Sequence, residues 1–169
     1  MVLVIGIGNE YAHDDAAGLL TARAIKAQAA EGVEVLEQSG EGAALMESWT
    51  GARAAIVIDA ARSGGPPGTV HRFDAGLEPL PAETFRGSTH AFGLHQAVEV
   101  ARSLDRLPPR LIVYAIEGRD LTAGIGLSSE VERAIPAAVA AVIREIGEIS
   151  KTLACRKRDY LGYGFVTLE

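Results

Sequence analysis

Two adjacent carboxylates, Asp14 and Asp15, stand where an apolar run gives way to a helix-like pattern. The run Val2 to Ile7 leads into Gly6-Ile7-Gly8-Asn9, and apolar periodicity resumes from Ala16. In an open α/β sheet such a join lies at the carboxyl end of a strand, where ligands and chemistry gather. A further acid, Asp59, closes the apolar run Ala54 to Ala60, and His90 stands in the polar stretch Gly87-Ser88-Thr89-His90 ahead of the next helical pattern. Two carboxylates and an imidazole make an oxygen and nitrogen donor set suited to a divalent transition metal, with open positions left to water or substrate. Spacing alone does not single out that use. Asp14 and Asp15 can equally cap a helix and favour the positive end of its dipole. Asp59 can bond loop amides, although a carboxylate ending so apolar a run needs a partner. His90 can be an ordinary loop histidine. Glu10 and Asp14 are close enough in sequence to support Asp15 from behind. His13 and His71 read as exposed, and His95 as a helix-surface residue facing away from His90.

Other chemistries fit less well. Gly6-Ile7-Gly8 follows a strand as a dinucleotide fingerprint does, but Tyr11 stands where its third glycine belongs. Adjacent acids would also repel a pyrophosphate. No Gly-x-Ser-x-Gly elbow is present. The lone cysteine, Cys155, excludes an internal disulfide and a Cys-rich zinc site, and lies too near the end of the chain to suggest a nucleophile.

Alternating apolar runs and helical periodicities must position these residues. Strands are expected at Val2 to Ile7, Val33 to Leu36, Ala54 to Ala60, Thr69 to Phe73 and Leu111 to Ile116. Helices are expected from Ala16 to Ala30, around Leu45-Met46 and Trp49, over Leu94 to Ala101, and from Ser129 to Ile149, where Ser129 and Glu132 have capping-box spacing. Thr69 to Phe73 follows a strand with no helix between them, so it is expected as an antiparallel edge. The whole is an α/β fold, a three-layer α/β/α sandwich with a mainly parallel, twisted sheet of about five strands. Residues 1–150 read as a single domain. From Lys151 the apolar periodicity fades, and 151–169 reads as a mobile C-terminal tail.

Length and composition narrow the function. A chain of 169 residues fits one domain with a substantial core. Lys and Arg number 16 against 22 Asp and Glu, a net charge of −6, which argues against nucleic acid or an anionic membrane surface as partner. Aromatic residues make up only 5%, too few for base-stacking platforms. No secretory leader and no run long enough to span a bilayer is visible, so a cytoplasmic protein is expected.

One ordered set of motifs goes further: Gly6-Ile7-Gly8-Asn9 with Asp14-Asp15 and Gly18; Val57-Ile58-Asp59-Ala60; Ser88-Thr89-His90 with Gly93-Leu94; and Gly126-Leu127-Ser128 leading to Pro136. In this order they resemble the maturation endopeptidases of nickel–iron hydrogenases, over nearly the whole chain to about Ile149. Ala16 stands where that family often has glycine. The resemblance implies a twisted sheet flanked by helices, with the site at its carboxyl edge. It puts the family's metal-coordinating acid of the opening loop on Asp15, its strand-end aspartate on Asp59 and its histidine on His90. The same three residues would then be the metal ligands and the catalytic set. It also implies a substrate, the hydrogenase large-subunit precursor, whose short C-terminal extension is removed after nickel insertion. The metal would be divalent, with nickel favoured, either held by the free protein or brought in by the precursor. Two other readings stay open: a noncatalytic metal-sensing chaperone that binds the precursor, and a nucleotide-binding domain.

Overall fold

Three apolar runs form the middle of the sheet. Val2–Ile7 is β1, Ala55–Ala61 is β3 and Leu111–Glu117 is β5. Every residue of β1 and β5 is buried, as expected of parallel strands covered on both faces. The computed structural model describes residues 1–28, 31–85 and 92–161, with side chains described to residue 155.

Because successive side chains point to opposite faces, each strand feeds two cores. Leu3, Ile5, Ile7, Val57, Val113 and Ala115 pack with α2 (Gly42–Ser48) and α3 (Leu94–Ser103). Val2, Val4, Ile56, Ile58, Ile112 and Ile116 pack with α1 (Ala17–Lys26) and α4 (Ser129–Leu161) on the other side. Each such aliphatic side chain contributes about 1.5–3 kcal/mol when fully buried, so this double core outweighs any surface interaction in the molecule.

The edges are β2 (Val33–Gln38) and β4 (Val70–Asp74), giving the order β2-β1-β3-β5-β4. All pairs are parallel except β4 with β5, which is antiparallel. The α/β sandwich expected from the sequence is therefore present. The odd strand has its expected place because a parallel link needs a crossover, and the stretch between β3 and β4 holds no helix. Among the described residues no helix is long and apolar enough to cross a membrane.

One boundary differs. The periodicity ends the last helix near Ile149, yet α4 continues to Leu161 and contains Pro136. Its Leu153 packs against the α1/α4 core, so the first part of the expected tail is helix. Loss of an apolar stripe ends burial, but it does not end a helix. No glycine or proline interrupts 149–161, and Lys151 and Thr152 both bond back to Glu148.

Candidate active site

From β1 the chain passes to β2 on one side, and from β2 it crosses to β3 on the other, so the strand order reverses at the carboxyl ends of β1 and β3, the place where open α/β sheets bind ligands. Asp15 and Asp59 both come to this rim. Asp15 belongs to a 3-10 turn, His13–Ala16, that runs directly into α1. Close approach of backbones sets its position. A side chain on Gly8, where φ is +150°, would collide with the Asp15 carbonyl. One on Gly18 would collide with the carbonyls of Ile7 and Ile58. The glycine spacing thus seats the start of α1 on the ends of two strands.

Asp59 lies near the end of β3, on the sheet face that Val57 and Ala61 share with α2 and α3. It is partly exposed between two buried neighbours, Ile58 and Ala60. Its Oδ1 accepts the N–H of Ala60 at 2.8 Å. Burial, reinforced by the charge of Asp15 and opposed by that N–H, pushes its carboxyl up to about 7. The two acids therefore lie close enough to repel each other across the rim. A divalent cation would relieve that repulsion, and hard carboxylate oxygens are apt donors for one.

His90 falls outside the described residues. Among the described residues no group of three or more His, Cys, Asp or Glu side chains is gathered closely enough to hold a metal. The described part of the site is thus a pair of acids. The chain on either side of the undescribed stretch is anchored: Phe85 is buried, and the Phe92 carbonyl accepts the N–H of Gly42 at 2.9 Å.

Asp14 differs sharply from its neighbour. Neither the 3-10 turn nor α1 has a side-chain cap, so the expected capping role falls away for both acids. Asp14 points inward instead, with no exposed surface. Its Oδ2 accepts the N–H groups of Arg119 and Asp120 at 2.8 and 2.9 Å and the Ser128 hydroxyl at 2.9 Å. Its Oδ1 accepts the Ser128 N–H at 2.6 Å. Burial alone would raise this carboxyl, but the donors of Asp120, Ser128 and Arg119 outweigh it and hold Asp14 below the usual carboxylate range.

A further acid escaped the sequence reading. Glu117, the last residue of β5, is 1% exposed. It accepts the Ser63 hydroxyl at 2.8 Å and the Gly64 N–H at 2.9 Å, tying down the loop that follows β3. It carries the same signal as Asp59, an acid closing an apolar run, but stands one residue beyond the strand expected at Leu111 to Ile116. His71 is not simply exposed either: its Nε2 lies 3.7 Å from Glu117, and its side chain is two-thirds covered. His13 is half-buried, with Nδ1 3.1 Å from the Gly126 carbonyl.

Two concavities adjoin the rim. One, about 570 Å³, is lined by residues including Gly8, Asn9, Tyr11, Leu19 and Gln38. Within it Arg23 is neutralised by Glu10 and Glu37, so Glu10 serves this groove wall. The other, about 340 Å³, is lined by His13, Asp120, Ile125 and Ser128 among others. Tyr11 in the first and Ile125 in the second are 69% and 78% exposed, on segments joined by the bridge Ala12–Gly124.

The family model for hydrogenase maturation proteases matches residues 20–145. The chain belongs to the hydrogenase maturation protease family. Solved structures of similar fold include the hydrogenase maturating endopeptidase HybD of E. coli, 25% identical with a TM-score of 0.71, over 87% of this chain and 92% of that one. Another is the [NiFe] hydrogenase maturation protease HybD of Thermococcus kodakarensis, 26% identical with a TM-score of 0.64, over 85% and 97% of the two chains. A hydrogenase expression/formation protein, HupD of Thiocapsa roseopersicina, is 24% identical over 94% of this chain and 72% of its own length. The family resemblance read from the sequence and the fold expected from it thus agree with these findings.

Proposed function

We propose that this protein is an endopeptidase that removes the C-terminal extension of a nickel–iron hydrogenase large-subunit precursor once nickel has been inserted. Family membership supports the peptidase class. The observation that carries the site assignment is the Asp15–Asp59 pair at the carboxyl edge, where burial and mutual repulsion push Asp59 up to about 7. Asp15, Asp59 and His90 are the residues assigned to hold a divalent metal, nickel in this reading, whether resident or carried by the precursor. When bound, such an ion supplies Lewis acidity toward the scissile carbonyl. The chain's own residues do the rest. In the free protein a proton on Asp59 offsets the repulsion; Asp59 would hold a cation as the carboxylate, its proton passing to water. Asp14 and the glycines keep Asp15 on the rim. Tyr11 and Ile125 offer apolar contact to an extended peptide crossing beside the acids.

The decisive assay incubates the full chain with nickel-loaded precursor and follows precursor mass. Loss of the extension with wild type, and its retention with Asp59→Asn, is the expected result. Stable docking without any product would replace the protease with the chaperone reading.

A further inference from the structure

We propose that Asp14 is the positioning residue of this site: its buried carboxylate clamps the loop between β5 and α4 onto the turn that carries Asp15, and so fixes where Asp15 meets Asp59. The proposal rests on the reading of Asp15 and Asp59 as the working pair.

The clamp has three parts. The Asp14 carboxylate gathers four donors from Arg119, Asp120 and Ser128, which lie 105 to 114 residues further along the chain. The backbone on either side is bonded to the same loop, with the Asp14 N–H on the Asp120 carbonyl at 2.9 Å and the His13 N–H on the Gly124 carbonyl at 3.0 Å. Finally, His13 adopts the left-handed conformation, φ +43°, which residues other than glycine rarely occupy. Its ring on the Gly126 carbonyl helps hold it there. Strained backbone of this kind persists only where the surroundings over-determine it. Here it lets one acid turn inward while the next reaches the rim. Asp15 has little freedom left: its N–H bonds the Ala12 carbonyl at 3.0 Å, and its own carbonyl lies against Gly8. Loosening the clamp would release the turn at its other end.

Asp14→Asn tests this, since the amide matches the carboxylate in shape but sets a donor against donors. The first measurement needs no metal. Asp15→Asn and Asp59→Asn are made singly and together, and melting temperatures are compared at about pH 8, above the value of about 7 to which Asp59 is raised. Repulsion between them makes the two substitutions non-additive. In the Asp14→Asn background this non-additivity should fall by at least half. A purely structural Asp14 would lower every melting temperature and leave the non-additivity intact, which overturns the proposal. The second measurement is nickel binding by calorimetry. Asp14→Asn should weaken it about 10- to 100-fold, the range for residues that orient metal ligands. Should Asp14→Asn not fold, Ser128→Ala removes one donor and keeps the backbone. It should reduce the non-additivity by a smaller measurable amount, and no change would overturn the proposal. If wild type binds no nickel while the non-additivity behaves as stated, the resident-metal version fails, only the precursor-borne ion is left, and the positioning role stands.

Discussion

Asp14 and Asp59 are both carboxylates withdrawn from water at the same end of one sheet, yet their surroundings drive them in opposite directions. Asp14 is the more buried of the two and stays below the usual range, because four donors meet its oxygens. Asp59 keeps some exposure and rises to about 7, because one N–H is set against burial and the charge of Asp15. Burial by itself therefore does not say what a carboxylate is for; the supply of donors does. A donor-rich acid is part of the scaffold. A donor-poor acid beside another acid is left with a repulsion that, in the function proposed above, a cation relieves.

The contrast can be attacked at its strongest point first. Asp59→Asn should cut precursor processing at least about 100-fold, the lower range for losing a group at a reacting centre, with the circular dichroism spectrum unchanged. Normal cleavage by this variant would make Asp59 scaffold too. Gly8→Ala comes next. It should lower stability by more than about 1 kcal/mol in chemical denaturation, because the added methyl meets the Asp15 carbonyl at a φ that suits glycine. The same variant should lose nickel affinity, since Asp15 must move.

Proton linkage supplies a third test. Folding raises the Asp59 carboxyl from 3.8 to about 7, so the folded state holds a proton that the unfolded chain releases. Its contribution to stability is present in full below the unfolded value and is lost as pH rises through the folded one. The gap in melting temperature between Asp59→Asn and metal-free wild type should therefore widen by several degrees from about pH 5 to pH 8, in favour of the variant. Nickel should narrow it. A gap independent of pH would mean that Asp59 ionises normally.

Glu117→Gln probes the donor-rich class from another position. Setting an amide against Ser63 and Gly64 should cost about 1–3 kcal/mol, read from the urea midpoint, and leave nickel affinity unchanged. The smallest effect is expected from Tyr11→Ser with Ile125→Ser. Stability should stay within about 0.5 kcal/mol, as for exposed sites, while KM for the precursor rises several-fold and kcat holds. An unchanged KM would remove this rim from the peptide's path.

Much of this architecture could be read directly from the chain. Val2 to Ile7 and Leu111 to Ile116 are nearly continuous apolar runs, as a strand covered on both sides requires, and both are interior strands of the sheet. Strand-end acids were legible for the same local reason, although Glu117 was passed over and Asp59 was not. The last helix was legible at its start and not at its end, because fading periodicity reports loss of burial and not loss of helix.

The sequence by itself determined the order and kind of the elements, the family, and the placing of Asp59 at the end of a strand and Asp15 at the start of a helix, since side-chain periodicity and turn chemistry act over a few neighbouring residues. Only the tertiary structure decided which of the adjacent acids, Asp14 or Asp15, turns inward. The donors that choose between them come from Arg119, Asp120 and Ser128, more than a hundred residues away. No local pattern carries the identity of a partner that folding alone brings within 3 Å.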